Sequence, residues 1–244
     1  MALEKVTGDY LLFLDADDYL SQDYFKNVDS YLGKNKNIDI LRIQANLVDE
    51  EFNLIGKTDG HEFKNLSGED AFKIFVTEKM FDMPCVYIYQ TDFWKKHDFR
   101  FVVGKIHEDF ELIPKTILLA NCVSSVKMYL YNYVQVSNSI VHNVSIESRK
   151  KRVYDQLSHY DSMCSFINSS DVSASTRKIF MSFISNSVID KAQELEGNDL
   201  KEYIKKLKER KVQKNLLDNS VLRFLKKLLV SLNIKLYIKF FVKR

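Results

Sequence analysis

A short apolar stretch that runs directly into a cluster of acids is the feature that most constrains this chain. Residues 10–14 (YLLFL) are apolar or aromatic, and Asp15, Asp17 and Asp18 follow at once. An uninterrupted apolar run of this length predicts a strand buried on both faces, as in a parallel sheet covered by helices. Because open α/β sheets bind ligands at the carboxyl ends of such strands, the acids are predicted to lie at a ligand site.

The three acids also point to a cation. Carboxylates this close together repel one another unless a positive charge lies between them. A few carboxylates together with substrate phosphates are the ligands that Mg²⁺ prefers, and Mn²⁺ shares this preference for oxygen. Asp15 and Asp17 are therefore candidate metal ligands, and Asp18 completes the candidate cofactor-binding group. A solvated acidic turn that caps the next helix is the alternative, and spacing alone leaves both open.

The wider segment carries a family resemblance. Residues 8–20 (GDYLLFLDADDYL) resemble the segment around the DxD motif of family 2 glycosyltransferases, which have the GT-A fold. The likeness includes the glycine before the strand and the aromatic residue after the acids. It implies that the aspartates hold Mn²⁺ or Mg²⁺ on the diphosphate of a nucleotide-sugar donor. It covers residues 1–143 and implies a Rossmann-like α/β fold, a mixed sheet with flanking helices.

A second acidic pair lies in residues 104–112 (GKIHEDFEL). Glu108 and Asp109 are predicted to open a helix that runs to about Ala120, where the helix dipole alone would stabilise them. Beside the first motif, the pair resembles the ED motif of the family, whose aspartate is the general base of inverting members. The resemblance implies that Asp109 deprotonates the acceptor hydroxyl, and that Glu108 orients a neighbour or a substrate hydroxyl.

The start of the chain does not match the family. Residues 1–7 predict the end of a helix that Gly8 closes. Family members carry an opening βαβ portion for the nucleobase and ribose before that helix. We therefore expect a partial GT-A domain, truncated at its N-terminus.

Further elements follow from hydrophobic periodicity. Residues 38–47 and 52–55 predict a hairpin, 123–134 a strand, and Ser67 the cap of a helix. Ser21 is predicted to begin a helix that buries Tyr24, Phe25, Val28, Tyr31 and Leu32 on one side. The single tryptophan, Trp94, is expected in the core.

Composition separates the C-terminal part from the rest. Residues 199–244 hold 14 Lys or Arg against 4 Asp or Glu, a balance of +10, and since the whole chain carries +3 the remainder carries −7. The low content of 7 Gly and 2 Pro argues against a turn-rich all-β fold. Helical periodicity predicts helices over residues 146–167 and 173–195. The predicted parts are a glycosyltransferase-like domain (1–143), a helical region (144–198) and a basic tail (199–244).

The end of the tail predicts a location. Residues 220–244 contain seven basic residues and no acid, and most of the others are apolar. Such a basic amphipathic helix suits an anionic membrane surface, although it can also pack on the body with a solvated basic face. No nucleic-acid-binding module accompanies the charge, so no nucleic acid is expected.

Other features agree with a cytoplasmic setting. The three scattered cysteines are predicted to be reduced, and the sequence shows no signal peptide and no apolar run long enough to span a bilayer. The expected location is the cytoplasm, peripheral on the inner face of the cytoplasmic membrane.

The leading hypothesis is a metal-dependent, inverting glycosyltransferase in cell-surface polysaccharide synthesis. It would move a sugar from a nucleotide-sugar donor to a glycan or lipid-linked acceptor. The alternative is an inactive, truncated remnant that acts at most as a binding domain. A haloacid-dehalogenase-like phosphatase ranks last because Tyr19 stands where that motif needs Thr or Val. An EF-hand fails because Tyr19 replaces a ligand and no glycine follows.

Overall fold

The computed structural model describes residues 3–80, 83–136 and 145–238. The chain divides into two compact units. The first contains Met1–Phe101 and Leu112–His142, and the second contains Val102–Glu111 and Asn143–Arg244.

The first unit is built on a mixed sheet of seven strands. Its strands are β1 (Tyr10–Leu12), β2 (Tyr19–Leu20), β3 (Ile40–Val48), β4 (Leu54–Lys57), β5 (Phe63–Leu66), β6 (Tyr87–Gln90) and β7 (Val123–Val134). The order is β1-β6-β3-β7-β2, with β4 paired to β3 and β5 to β7. The pair β3–β7 is parallel and the other pairs are antiparallel. The expected α/β class with a mixed sheet and flanking helices is therefore confirmed.

Helices accompany this sheet. They are α1 (Tyr24–Lys34), α2 (Gly68–Thr77), α3 (Thr91–Lys96) and α4 (Glu108–Leu119), whose first turn belongs to the second unit. Short 3₁₀ turns form at Leu3–Lys5 and Pro84–Val86. The centre of the core is β3, where Ile40, Leu41 and Ile43 are fully buried, as expected for a strand that has neighbours on both sides.

The first strand differs from its prediction. β1 has three residues, lies at the edge of the described sheet and pairs antiparallel with β6, and of its residues only Leu11 is buried. The apolar run is longer than the strand. Its next residue, Phe13, packs in an aromatic cluster and not on a second face of the sheet. Its ring centroid lies 5.2 Å from that of Trp94 and 5.0 Å from that of Phe101.

Two helix boundaries were also predicted incorrectly, the helix end at Gly8 and the helix start at Ser21. Residues 3–5 form a 3₁₀ turn, and Gly8 is not among the glycines with positive φ, so it does not close a helix. Helix α1 begins at Tyr24 because Ser21 is still tied to β7, its N–H donating to the carbonyl of Leu130. On α1 the ring of Phe25 is exposed, whereas Tyr24, Val28 and Leu32 are buried.

Several other predictions are confirmed. The hairpin forms between β3 and β4, and β7 covers the predicted residues 123–134. The Ser67 hydroxyl accepts from the N–H of Asp70, 3.2 Å away, and caps α2. Trp94 is 1% exposed and lies in the core.

The second unit is helical over its described C-terminal part. Its helices are α5 (Ile146–Ser169), α6 (Ala174–Lys191), α7 (Gly197–Glu209) and α8 (Val221–Tyr237), with 3₁₀ turns at Ala192–Glu194 and Val212–Asn215. Helix α6 ends before the predicted residue 195, and α8 has one non-helical residue, Asn233. The basic helix predicted over residues 220–244 is described only as far as residue 238, so its end, with Lys239 and Lys243, lies outside the described residues. Within the described ranges, every helix is too short or too polar to cross a bilayer.

Two glycines provide a test of the packing. A Cβ at Gly68 would overlap the backbone carbonyl oxygens of Ile117 and Ala120, which cannot move aside as a flexible side chain can. We expect Gly68→Ala to lower the free energy of unfolding by about 1–3 kcal/mol, the usual cost of overpacking. Gly33→Ala is the matched control, because its Cβ meets no atom within 4 Å inside a helix.

The control should raise the free energy of unfolding by about 0.5–1 kcal/mol, since alanine loses less backbone entropy than glycine in a helix. Urea unfolding followed by circular dichroism measures both variants. Equal stability of the two variants would contradict the close contact between α2 and the end of α4.

Candidate active site

The acidic turn after β1 is fastened to the long strand β7. The N–H of Asp18 donates to the carbonyl of Asp15 over 3.2 Å and closes the turn. Both carboxylate oxygens of Asp18 accept bonds from β7, one from the Tyr131 hydroxyl at 2.6 Å and one from the Val134 N–H at 2.8 Å. Asp18 is buried, and its two bonds to β7 hold the turn in place.

The Tyr131 hydroxyl forms hydrogen bonds at both ends of this turn. The Tyr131 hydroxyl donates to Asp18 and accepts from the N–H of Asp15, 3.3 Å away. Burial and the bond to Asp18 raise the pKa of Tyr131, so the hydroxyl keeps its proton and remains a donor. The sequence indicated only that Tyr129, Tyr131 and Tyr133 share one face of a strand, and it did not identify this contact.

The other two acids of the motif face solvent. Asp15 and Asp17 are exposed, whereas Asp18 is buried. Burial raises the pKa of Asp18, the bonds from Tyr131 and Val134 oppose this, and the charges of Asp17 and Asp15 raise it further. A cation beside the turn would relieve this repulsion between like charges.

The donor atoms near the turn fit a hard cation only in part. Ligand atoms of Asp15, Asp18 and Cys85 lie within 4.8 Å of one another, and Asp17 is not in this group. Burial raises the pKa of the Cys85 thiol to about 12, so the thiol stays neutral and is a poor ligand for Mg²⁺ or Mn²⁺. The carboxylate oxygens have the chemistry that these ions prefer. The metal-binding and cofactor-binding roles of Asp15, Asp17 and Asp18 remain predictions.

The second acidic pair opens helix α4 as predicted. Glu108 and Asp109 lie in its first turn, where the helix dipole favours negative charge. One carboxylate oxygen of Asp109 accepts from the Phe110 N–H at 2.9 Å. Burial raises the pKa of Asp109, and bonds to backbone N–H groups and the charge of His159 partly offset it. A carboxylate with a raised pKa is suited to general-base chemistry near neutral pH.

Asp15, Asp17 and Asp18 belong to the first unit, and Glu108 and Asp109 belong to the second. Sequence reasoning overlooked Glu111 and His159, which contact each other beside the second pair. The available signal was the recurrence of Asp155 and His159 at a spacing of one helical turn.

The contact between Tyr131 and Asp18 can be tested by removing one hydroxyl. Tyr131→Phe leaves a buried carboxylate oxygen and the Asp15 N–H without this partner, and we expect a loss of about 1–3 kcal/mol in the free energy of unfolding. Tyr24→Phe is the matched control, since the buried Tyr24 hydroxyl has no hydrogen-bond partner among the described residues. It should be neutral or slightly stabilising. If urea unfolding gave equal losses for both, Tyr131 would not anchor the turn.

Comparisons with known proteins define the fold. No protein-family model matches the sequence, and no curated protein matches it either. Among solved structures, one of S. aureus TarS matches with a TM-score of 0.59 at 17% identity, over 96% of this chain and 40% of that one. The structure of TarS residues 1–349 matches with a TM-score of 0.52 at 17% identity, over 88% of this chain.

The chain spans 60% of the length of that TarS fragment. The structure of the same fragment in complex with UDP-GlcNAc matches with a TM-score of only 0.49, so the fold comparison rests on the other two structures. At this identity the likeness shows the fold alone, and this chain shares the glycosyltransferase-like fold of these structures.

Proposed function

We propose that this chain is a family 2 glycosyltransferase that moves a sugar from a nucleotide-sugar donor to a glycan or lipid-linked acceptor in cell-surface polysaccharide synthesis. The observation that carries the proposal is the acidic turn after β1, which Asp18 and Tyr131 lock onto β7 with Asp15 and Asp17 left exposed. The glycosyltransferase fold supports this assignment. TarS 1–349 is known in complexes with UDP and with UDP-GlcNAc, so UDP is the nucleotide to test first.

In this proposal the exposed carboxylates hold the metal. Asp15 and Asp17 would bind Mn²⁺ or Mg²⁺, while Asp18 fixes the turn that presents them. When bound, the ion would supply positive charge that stabilises the leaving diphosphate. The repulsion of Asp18 by the charges of Asp17 and Asp15 makes this turn a favourable place for a cation.

The proposed chemistry is a single displacement. The acceptor hydroxyl oxygen bonds to the anomeric carbon while its proton passes to Asp109. The bond from that carbon to the diphosphate breaks, and the nucleoside diphosphate leaves with the electron pair, so the anomeric configuration inverts. Glu108 would orient the acceptor hydroxyl or a neighbouring group.

Calorimetric titration of UDP into the purified chain, with Mn²⁺ and then with a chelator, tests the donor site. We expect binding that depends on Mn²⁺ and that Asp17→Ala weakens at least about tenfold, because a metal ligand is lost. Asp29→Ala, which removes an exposed carboxylate from α1, is the matched control and should bind UDP normally. Asp109→Asn should keep UDP binding and lower transfer by about 10²–10⁴-fold.

The outcomes separate the two candidate functions. Metal-dependent binding together with transfer supports the enzyme. A folded protein that binds UDP with neither Mn²⁺ nor Mg²⁺ would contradict the enzyme proposal. It would favour the alternative, a remnant without turnover that acts as a binding domain.

We further propose that α8 holds the protein at the inner, anionic face of the cytoplasmic membrane. Large apolar side chains on this helix are 37–80% exposed: Val221, Leu222, Phe224, Leu225, Leu228, Leu229, Leu232 and Leu236. The opposite side, with Val230, Ile234 and Tyr237, is buried within the second unit. Lys226 and Lys227 pair there with Asp190 and Asp218 at 3.7 and 2.9 Å.

The exposed side of α8 is therefore largely apolar, which disfavours the simpler reading of a packed helix with a solvated basic face. An exposed patch of this kind indicates an interaction site, and the excess of basic residues in the tail is complementary to anionic lipid. Two copies of so basic a helix would repel each other.

Vesicle sedimentation tests this surface. We expect the chain to bind vesicles that contain anionic lipid and to bind neutral phosphatidylcholine vesicles less, since both apolar burial and charge contribute. Leu225→Ser with Leu232→Ser should weaken binding at least about tenfold, as two buried leucines are worth a few kcal/mol.

The control removes exposed apolar residues elsewhere. Leu54→Ser with Ile55→Ser, on β4, should leave vesicle binding unchanged. If the α8 variant bound as tightly as the wild type, this face would not be the membrane contact.

A further inference from the structure

Side chains on one face of α5 contact residues 104–111, the segment that leads into and begins α4. Lys151, Asp155, His159 and Ser162 recur at helical spacing, so their side chains point in the same direction. Each of the four contacts a residue between Gly104 and Glu111. All of these residues belong to the second unit.

The first point of contact is the backbone of Ile106. Its N–H donates to a carboxylate oxygen of Asp155 at 3.0 Å, and its carbonyl lies 3.0 Å from Nε2 of His159. Lys151 adds a bond of 2.8 Å to the carbonyl of Gly104. Gly104 and His107 have φ of +78° and +59°, so the segment takes up a backbone conformation that needs support.

The second point of contact is the carboxylate of Glu111. One of its oxygens lies 2.7 Å from Nδ1 of His159, and the other accepts from the Ser162 hydroxyl at 2.5 Å. His159 is 1% exposed and Glu111 is 7% exposed. A single imidazole therefore joins both points, the backbone before Glu108 and Asp109 and the side chain after them.

The contacts determine the protonation state of His159. Both ring nitrogens face acceptors, a carboxylate and a carbonyl, and a neutral imidazole has only one N–H to donate. With Glu111 ionised, only the imidazolium can make both bonds. Burial alone would lower the pKa of His159, but the bonds to Glu111 and Ile106 outweigh it and the pKa is raised.

Other charged groups lie around this imidazolium. Asp155 adds attraction, and its own charge is balanced by Lys105 at 3.4 Å and by Lys151. The positive charge of His159 also favours the ionised form of Asp109.

We propose that His159 and Asp155 are positioning residues, which hold Ile106 and Glu111 and thereby fix Glu108 and Asp109 between two anchored points. The catalytic part of this inference rests on the proposed function, in which Asp109 is the general base. The anchoring itself depends only on the contacts between α5 and residues 104–111.

The anchoring is tested without any activity. In spectra of the full chain with ¹⁵N-labelled histidine, we expect both ring nitrogens of His159 to be protonated in more than half of the molecules at about pH 6.5, the ordinary pKa of histidine, because its own pKa is raised. In His159→Gln and Asp155→Asn, amide exchange of residues 105–111 should quicken by about tenfold or more as the segment opens locally. Tyr203→Phe is the matched control, because it removes a buried bond of 3.0 Å to the Val188 carbonyl within the same unit and touches none of these residues.

The catalytic part needs turnover. If transfer is found, His159→Gln should lower kcat with UDP affinity unchanged and should move the acid limb of the rate profile to higher pH, because Asp109 loses a neighbouring positive charge. Tyr203→Phe should leave that limb in place. A substitution that only weakened the structure would lower activity without moving the acid limb of the rate profile.

Each outcome is decisive. A neutral His159 at that pH, or unchanged exchange of residues 105–111 in both variants, overturns the inference. An unmoved acid limb in His159→Gln overturns the action on Asp109. If exchange and spectra agree but the chain neither binds nor uses a donor, the anchoring stands and the proposed function fails.

Discussion

The contact between Asp18 and the hydroxyl of Tyr131 is the interaction on which the first acidic motif depends. β1 and β2 are short strands with little pairing of their own, and both lie at the ends of the described strand order. Two bonds from β7 hold Asp18 and give the turn between these strands a fixed place. Since β7 pairs with the largely buried strand β3, these bonds tie the turn to the centre of the sheet.

Both acidic motifs use the same device. In each, one carboxylate is buried and has hydrogen bonds to both oxygens, Asp18 in the first motif and Glu111 in the second. The neighbouring acids, Asp15 and Asp17 in the first motif and Glu108 and Asp109 in the second, are those to which the proposal assigns the chemistry. A buried carboxylate is costly unless it is satisfied, so each anchor comes with its own donors. In both motifs the proposal thus places the reacting carboxylates next to an anchored neighbour in the chain.

On helix α8 the ion-paired basic residues and the exposed apolar residues lie on different sides. On α8 the basic residues Lys226 and Lys227 form ion pairs with the second unit, while leucines face outward. Counting charges along the sequence correctly located a basic segment, but it did not show which groups the body neutralises. The apolar side left exposed is what gives the membrane proposal its physical basis.

The sequence by itself determined the fold class, most helices, the hairpin β3–β4 and the two acidic motifs, because these follow from local periodicity and from residue types close together in the chain. It did not determine the edge position of β1, the start of α1 at Tyr24 or the exposure of Phe25. It also missed the partners of the acids. Tyr131 lies more than a hundred positions from Asp18, and His159 lies 48 from Glu111. Only the tertiary structure brings such residues together, since helical spacing can place Asp155 and His159 on one face of a helix but does not identify the remote residues that this face contacts.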